Sequence, residues 1–174
     1  MRSPMVMLAE SDHNDANLVL LAIERAAIGA DVAVFSDGEA VVDFFLKASN
    51  GRRFASPCDL LLLDLDLPKL DGLKVLRQLR WLHRDDVSKL PPIVVLSACD
   101  EPDLVAAAFR HGASGFLCKA ARAFRFVDNV QQTMSYWLRA TMCPTRHQPA
   151  ISVRSQSTTT QLDSSQFIFE LLSR

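Results

Sequence analysis

Acidic, hydroxyl and ammonium side chains follow short apolar segments at four places in the sequence. These polar residues are Glu10, Ser11, Asp12, Asp64, Asp66, Ser97 and Lys119. Crowded carboxylates need a compensating charge, which a hard, oxygen-seeking cation such as Mg²⁺ supplies. Beside such a cation and a lysine, Asp64 can act as a nucleophile toward a phosphoryl group and form an acyl phosphate. Ser97 can then donate to one phosphoryl oxygen while Lys119 pairs with another.

The apolar segments before these residues predict the strands of a parallel sheet. Four consecutive leucines at 60–63 are typical of a strand that is covered on both faces. Segments with helical spacing separate the apolar runs, so we expect an α/β fold with a doubly wound five-stranded sheet and helices on both faces. Ligands of such sheets bind at the carboxyl ends of the strands, which would bring the polar residues to one edge. The predicted strands cover 5–9, 32–35, 60–63, 93–96 and 115–118.

A few residues also predict where the helices begin and end. Apolar residues recur at helical spacing as far as Ala27, and Gly29 is expected to end the first helix. Asp71 is placed to cap the third helix, whereas residues 49–57 are expected to form a polar loop.

Composition restricts the class of protein. The chain has 174 residues, 49% of them hydrophobic, and a formal net charge of −1. It lacks a basic excess to neutralise phosphates, so no nucleic-acid partner is expected. No apolar run reaches the roughly 20 residues of a membrane span, and the N-terminus lacks a signal-peptide core. Four scattered cysteines without a CxxC pair suggest neither zinc nor disulfides, so we expect a cytoplasmic protein without a membrane partner.

The character of the sequence changes after about residue 142. We predict one domain over 1–142 and a flexible tail over 143–174, because the latter contains a long run rich in Ser, Thr and Gln. The apolar end of the tail, FIFELLSR, leaves two interpretations open: a docking segment, or a frayed end without a role.

Three segments, together with the acidic cluster after the first strand, resemble a known family. LLLLDLDLPKLDG (60–72), VVLSA (94–98) and GASGFLCKA (112–120) are similar to the receiver domain of bacterial two-component response regulators. The resemblance covers roughly residues 5–140 and implies a CheY-like, flavodoxin-like sheet of order 2-1-3-4-5. The stretch WLHRDDVSKLPP and a last helix ending in YWL further resemble stand-alone receivers that partner phytochrome-type histidine kinases.

The resemblance implies a role for each matching residue. Asp64 matches the phosphoacceptor, and Glu10 matches the first residue of the acidic pair that binds Mg²⁺ together with Asp64. Asp66 matches the position whose backbone carbonyl contacts the metal. The remaining matches are the switch hydroxyl Ser97, the invariant lysine Lys119 and the switch aromatic Phe116.

Two residues depart from the family pattern. Ser11 stands where the family usually has a second metal-binding aspartate, and a hydroxyl is a weaker Mg²⁺ ligand than a carboxylate. Ala120 follows Lys119 where a cis-proline is usual, and we expect a trans bond there because a cis bond to Ala costs about 3 kcal/mol.

Three hypotheses follow from Ser11. Asp66 or Asp12 supplies the missing carboxylate; or the site works with weaker Mg²⁺ affinity or a water bridge; or the domain is a degenerate receiver that binds proteins without phosphate. A haloacid-dehalogenase-type phosphatase is a further alternative, since LLLLDLDLP resembles that family's DxD motif. Leu67 and the DEPD segment (100–103) fit that enzyme family poorly.

The favoured interpretation is a single-domain response regulator of phosphorelay signalling. On this interpretation the protein is not an enzyme with a separate substrate, although it can catalyse its own phosphorylation and dephosphorylation. A histidine kinase is its expected partner. We expect no second globular domain after the fifth helix, so output is expected through protein contacts: a phosphotransfer protein, a target protein, or a homodimer formed by the fourth helix, fifth strand and fifth helix.

Overall fold

Six strands and five helices make up the part of the chain that the computed structural model describes, residues 3–51, 58–84, 89–120, 123–139 and 153–155. The strands are β1 (Met5–Ala9), β2 (Asp31–Phe35), β3 (Leu60–Asp64), β4 (Ile93–Ser97), β5 (Gly115–Cys118) and β6 (Val153–Ser155). The helices are α1 (His13–Arg25), α2 (Gly38–Gly51), α3 (Gly72–Leu82), α4 (Pro102–Arg110) and α5 (Ala123–Arg139).

The strands form one parallel sheet in the order β5-β4-β3-β1-β2-β6. The predicted order 2-1-3-4-5 is therefore confirmed. The sixth strand is an addition at the outer edge of β2, where Val32 pairs with Val153. It lies within the predicted tail, whose end FIFELLSR falls outside the described residues. Val153–Ser155 has one apolar residue of three, so no apolar run indicated a strand.

Two hydrophobic layers cover the sheet, one on each face. On one face α1 and α5 pack against the sheet, and on the other α2 and α3 do so, with Ala108 of α4. All five residues of β3 and of β4 are buried, as expected for central parallel strands. The prediction of helices on both faces is confirmed. The rigid centre of the sheet thus holds the ends of β3 and β4 in place.

Two predicted helix boundaries are wrong by a few residues. α1 ends at Arg25, and Ala27 adopts a left-handed backbone (φ 51°) in place of the predicted helical one. The Ala27 N–H donates to the Glu24 carbonyl at 3.0 Å, a tightened last turn that helical spacing does not reveal. α2 continues through Gly51, so residues 49–51 are helical where we predicted a loop. No proline interrupts α2 before that point.

Asp37 joins the start of α2 to the loop that follows β3. One carboxylate oxygen, Oδ1, accepts a hydrogen bond from the Ala40 N–H at 2.8 Å, and Oδ2 lies 2.7 Å from Lys69 Nζ. The hydrogen bond from Lys69 lowers the pKa of Asp37, against a smaller opposing effect of burial. Lys69 itself adopts a left-handed backbone (φ 64°), an unfavourable conformation for a lysine.

We expect Asp37→Ala to lower the free energy of unfolding by about 1–2 kcal/mol at neutral pH, because a helix cap and an ion pair are lost together. Since the folded-state pKa lies below the ordinary value of 3.8, this contribution is complete above that pH and disappears as pH falls through the folded-state value. Urea unfolding from pH 7 to pH 3 measures it. Asp43→Ala, at an exposed position of α2, is the control. A loss of unfolding free energy in Asp37→Ala that is larger at pH 3 than at pH 7 would contradict this role of Asp37.

Candidate functional site

The carboxyl edge of the sheet brings together three of the buried polar residues of the domain. Glu10 follows β1, Asp64 ends β3 and Ser97 ends β4, and each is at most 5% exposed. Lys119 follows β5, and its backbone N–H donates to the Ser97 carbonyl at 2.7 Å. The prediction that these residues share one edge is correct. Their strands position them, because all are parallel and end at the same side of the sheet.

The Lys119 ammonium is the centre of this cluster. Its Nζ lies 2.5 Å from Glu10 Oε2, 3.1 Å from Asp64 Oδ1 and 3.1 Å from Asp15 Oδ2. The side chain of Lys119 is 9% exposed. One buried cation thus contacts three carboxylates, and the cluster keeps an excess of negative charge.

Asp15 is a site residue that the sequence analysis missed. It lies in the first turn of α1, and its side chain is 35% exposed. Its position five residues after Glu10, in the first turn of the helix that follows β1, was the available signal. That spacing became informative only with the start of α1 at His13, next to the strand end.

Asp12 acts as the N-cap of α1. Its Oδ1 accepts hydrogen bonds from the backbone N–H groups of Asn14 and Asp15, at 2.8 and 3.0 Å. These bonds, Asp15 first, lower the pKa of Asp12. The hydrogen bonds and ion pairs of the described residues do not join its carboxylate to Lys119 or to Asp64. Its geometry is that of a helix cap, which sequence alone could not distinguish from a metal ligand.

Ser11 faces the loop after β3. Its hydroxyl donates to the backbone carbonyl of Asp66 at 3.4 Å, and both residues are exposed. The Asp66 carbonyl therefore lies beside the residue that replaces the usual second aspartate. The hydrogen bonds and ion pairs of the described residues do not bring the Asp66 carboxylate into the Lys119 cluster.

The donors at this edge fit a hard divalent cation, with fewer carboxylates than is usual. Glu10 and Asp64 offer buried carboxylates, and Asp66 offers a carbonyl oxygen. Within the described part of the chain no three His, Cys, Asp or Glu side chains are grouped as metal ligands. Oxygen donors of this small number suit Mg²⁺, which keeps several of its waters.

Charge and burial act against each other in this cluster. Burial raises the pKa of Glu10, the hydrogen bond from Lys119 lowers it, and the nearby Asp64 charge raises it, so the net pKa is raised. Burial lowers the pKa of Lys119, but the hydrogen bond and charge of Glu10, with the charge of Asp64, outweigh it and raise the pKa overall. The raised pKa keeps Lys119 protonated, and its single positive charge faces three carboxylates.

Comparison with known proteins decides the family. The model of the response regulator receiver domain matches residues 6–131. The chain belongs to the response regulator receiver family. Among its relatives is Response regulator Rcp1 of a Synechocystis strain, 27% identical over 140 residues that span 80% of this chain and 92% of Rcp1.

Solved structures agree with this assignment. The Mn²⁺-bound form of Rcp1 superposes with a TM-score of 0.67 at 28% identity, covering 82% of this receiver and 99% of that chain. The phosphorylated cyanobacterial phytochrome response regulator RcpA has a TM-score of 0.68 at 24% identity and supports the fold, with coverage of 83% and 100%. This receiver is thus homologous to single-domain response regulators of two-component phosphorelay signalling. The family is one of signalling domains, and nothing supports the phosphatase alternative.

The two predicted switch residues of the receiver lie on adjacent strands, β4 and β5, offset by two residues in register. Ser97 Oγ accepts a hydrogen bond from the Cys99 N–H at 3.1 Å, which places the hydroxyl at the turn after β4. Phe116 lies half-buried on β5, paired with Val95. The Lys119–Ala120 bond is trans, as expected from the absence of proline there; no cis peptide bond occurs in the described residues.

The receiver was expected to have no membrane partner. Among the residues that the structure describes, no helix combines the length and the hydropathy needed to cross a membrane.

Proposed function

We propose that this receiver accepts a phosphoryl group on Asp64 from a histidine kinase. One observation carries the proposal: the buried Lys119 ammonium contacts Asp64 and Glu10 together at the carboxyl edge of the sheet. This is the arrangement needed to attract a phosphoryl group and to neutralise the charge that it brings. The family membership and the relatives Rcp1 and RcpA support it.

In the proposed reaction an Asp64 carboxylate oxygen attacks the phosphorus of the kinase phosphohistidine. The phosphorus–nitrogen bond breaks, the imidazole nitrogen takes up a proton, and Asp64 becomes an acyl phosphate. Mg²⁺, held by Glu10, Asp64 and the Asp66 carbonyl, would supply positive charge to the transferring phosphoryl oxygens. Lys119 donates to one of these oxygens, and its raised pKa keeps it protonated throughout.

The negative charge of the phosphoryl group on Asp64 attracts the Ser97 hydroxyl. This hydroxyl leaves the Cys99 N–H and donates to a phosphoryl oxygen, which frees space for Phe116 to turn inward. Because β4 and β5 are paired at these residues, the change alters the surface formed by α4, β5 and α5. Phe109 of α4 and Tyr136 of α5 are exposed aromatic residues on these helices. The output is proposed to be a protein contact of this face: with a phosphotransfer protein, a target protein or a second copy.

A phytochrome-type histidine kinase is the proposed partner. RcpA is a cyanobacterial phytochrome response regulator, and Rcp1 is a relative that this chain matches over most of its length. The proposed location is the cytoplasm, where the thiols of Cys99 and Cys118 would remain reduced.

Ser11 favours one competing function, a degenerate receiver that binds its partner without phosphate. The two functions differ in what Asp64 does. We expect incubation with Mg²⁺ and acetyl phosphate to add one phosphate to the wild-type intact mass, and to add none to Asp64→Asn or in excess EDTA. The Ser11→Asp variant should label at a lower Mg²⁺ concentration than wild type.

A wild-type chain that stays unlabelled under conditions where Ser11→Asp is labelled would contradict the proposal. It would identify Ser11 as the cause and leave the phosphate-independent module as the function. Absence of labelling in both the wild type and Ser11→Asp would contradict the proposal more strongly. The edge of the sheet would then not support phosphorylation even with the usual carboxylate restored.

A further inference from the structure

Asp15 gives this site a carboxylate that the family pattern does not explain. The usual receiver edge has two acidic residues besides the phosphoacceptor, and Ser11 removes one of them. The structure nevertheless places three carboxylates on the Lys119 ammonium, because Asp15 approaches it from α1 at 3.1 Å. The number of carboxylates around the lysine is thus three, with one of them supplied by α1, whereas Ser11 at the replaced position contacts the Asp66 carbonyl.

The three carboxylates differ in depth. The side chains of Glu10 and Asp64 are 0% and 5% exposed, whereas that of Asp15 is 35% exposed. Asp15 is therefore the outermost contact of Lys119. Its backbone is held in place by the hydrogen bond from its N–H to the Asp12 cap, at 3.0 Å. The first turn of α1 thus presents a fixed acceptor at the mouth of the cluster.

A divalent cation and the Lys119 ammonium compete for the same two inner carboxylates. The cation and the ammonium cannot share the carboxylate oxygens that Lys119 contacts on Glu10 and Asp64. Two positive charges bound to the same carboxylates would also repel each other. We expect the ammonium to give up its short contact with Glu10 when a cation binds between the two inner carboxylates. A lysine without another acceptor would resist that displacement.

We propose that Asp15 is a positioning residue that retains the Lys119 ammonium when Glu10 and Asp64 take up a divalent cation. The inference rests on the proposed function and adds to it the residue that lets a site lacking the second aspartate accept both charges. Lys119 then remains within reach of the phosphoryl group, tethered from its outer side. Asp15 acts through Lys119 and does not itself touch the phosphoryl group.

A double-mutant cycle on cation affinity tests this role without any phosphorylation step. Mg²⁺ binding is measured by calorimetry for wild type, Asp15→Asn, Lys119→Met and the double variant. We expect Asp15→Asn to weaken Mg²⁺ binding about 10-fold when Lys119 is present and about 2-fold in the Lys119→Met background. Asp103→Asn is the matched control, an exposed acidic residue in the first turn of α4, and should leave the affinity unchanged.

The outcomes separate this inference from the proposed function. Equal weakening by Asp15→Asn in both backgrounds would overturn the positioning role and would make Asp15 a metal ligand or a bulk charge. Binding unaffected by Asp15→Asn would overturn it as well. In both of these cases the proposed function is unaffected, provided that the wild type binds Mg²⁺. A wild type that binds no Mg²⁺ at all would overturn both.

Discussion

Replacing Lys119 with methionine is expected to slow the phosphorylation of Asp64 by about 10²–10³-fold at saturating Mg²⁺, the usual cost of removing one charge-stabilising donor. The loss follows from geometry, because the ammonium lies 3.1 Å from Oδ1 of Asp64, the proposed phosphoacceptor. Intact-mass spectrometry against time, with acetyl phosphate as donor, measures the rate. Lys74→Met is the matched control, since Lys74 on α3 is 63% exposed and pairs with Asp71.

The same substitution has a second expected effect, on stability. It leaves Glu10 and Asp64 buried without their cation, which costs about 3 kcal/mol when one partner of a buried pair is removed. Mg²⁺ should therefore raise the unfolding free energy of Lys119→Met by more than it raises that of wild type. Labelling of Lys119→Met at the wild-type rate would show that the lysine contact has no part in the reaction.

Gly72→Ala is expected to damage both the fold and the site. A Cβ at this position would lie 2.3 Å from the Asp64 carbonyl oxygen and 2.8 Å from the Leu65 Cα, both of them backbone atoms. The Gly72 N–H also donates to the Leu65 carbonyl at 3.0 Å, so the start of α3 is held against the end of β3. The clash cannot be relieved by a rotamer change. Either α3 or the segment carrying Asp64 must shift.

We expect Gly72→Ala to lose about 1–3 kcal/mol of stability, the range for overpacked sites, and to label Asp64 more slowly at a temperature where it remains folded. Gly115→Ala is the matched control, because the atoms nearest to its Cβ would be those of the Val94 side chain, no closer than 3.4 Å. Urea unfolding and the labelling rate are the two measurements. Wild-type behaviour of Gly72→Ala in both would contradict the close approach of α3 to the phosphoacceptor.

The sheet could be predicted because its strands are marked in the sequence by unbroken apolar runs. The leucines of 60–63 fall inside β3, and the predicted run 93–96 falls inside β4. Asp71 caps α3 as predicted, accepting from the Lys74 N–H at 2.9 Å. Helix ends were harder. Ala27 fits a helical spacing, but its backbone is left-handed, and the spacing of apolar residues does not report such a tightened last turn.

The site could be predicted only where a strand end fixes it. Glu10, Asp64 and Ser97 follow or end strands, so parallel topology alone brings them to one edge. Asp15 could not be placed in the same way, because its approach to Lys119 depends on where α1 begins and how it packs. Asp12 shows a second limit of sequence reasoning, since the spacing that made it a possible metal ligand is also the spacing of the cap of α1, which it forms.

Asp64 is proposed to carry the phosphoryl group, in a site that lacks the second aspartate. The most direct test is to phosphorylate the wild-type chain with acetyl phosphate and Mg²⁺, reduce the acyl phosphate with borohydride to the alcohol, and sequence the peptides by tandem mass spectrometry. We expect homoserine at position 64 and unchanged aspartate at 12, 15 and 66. Homoserine at any of those three positions, or at none, would contradict the account.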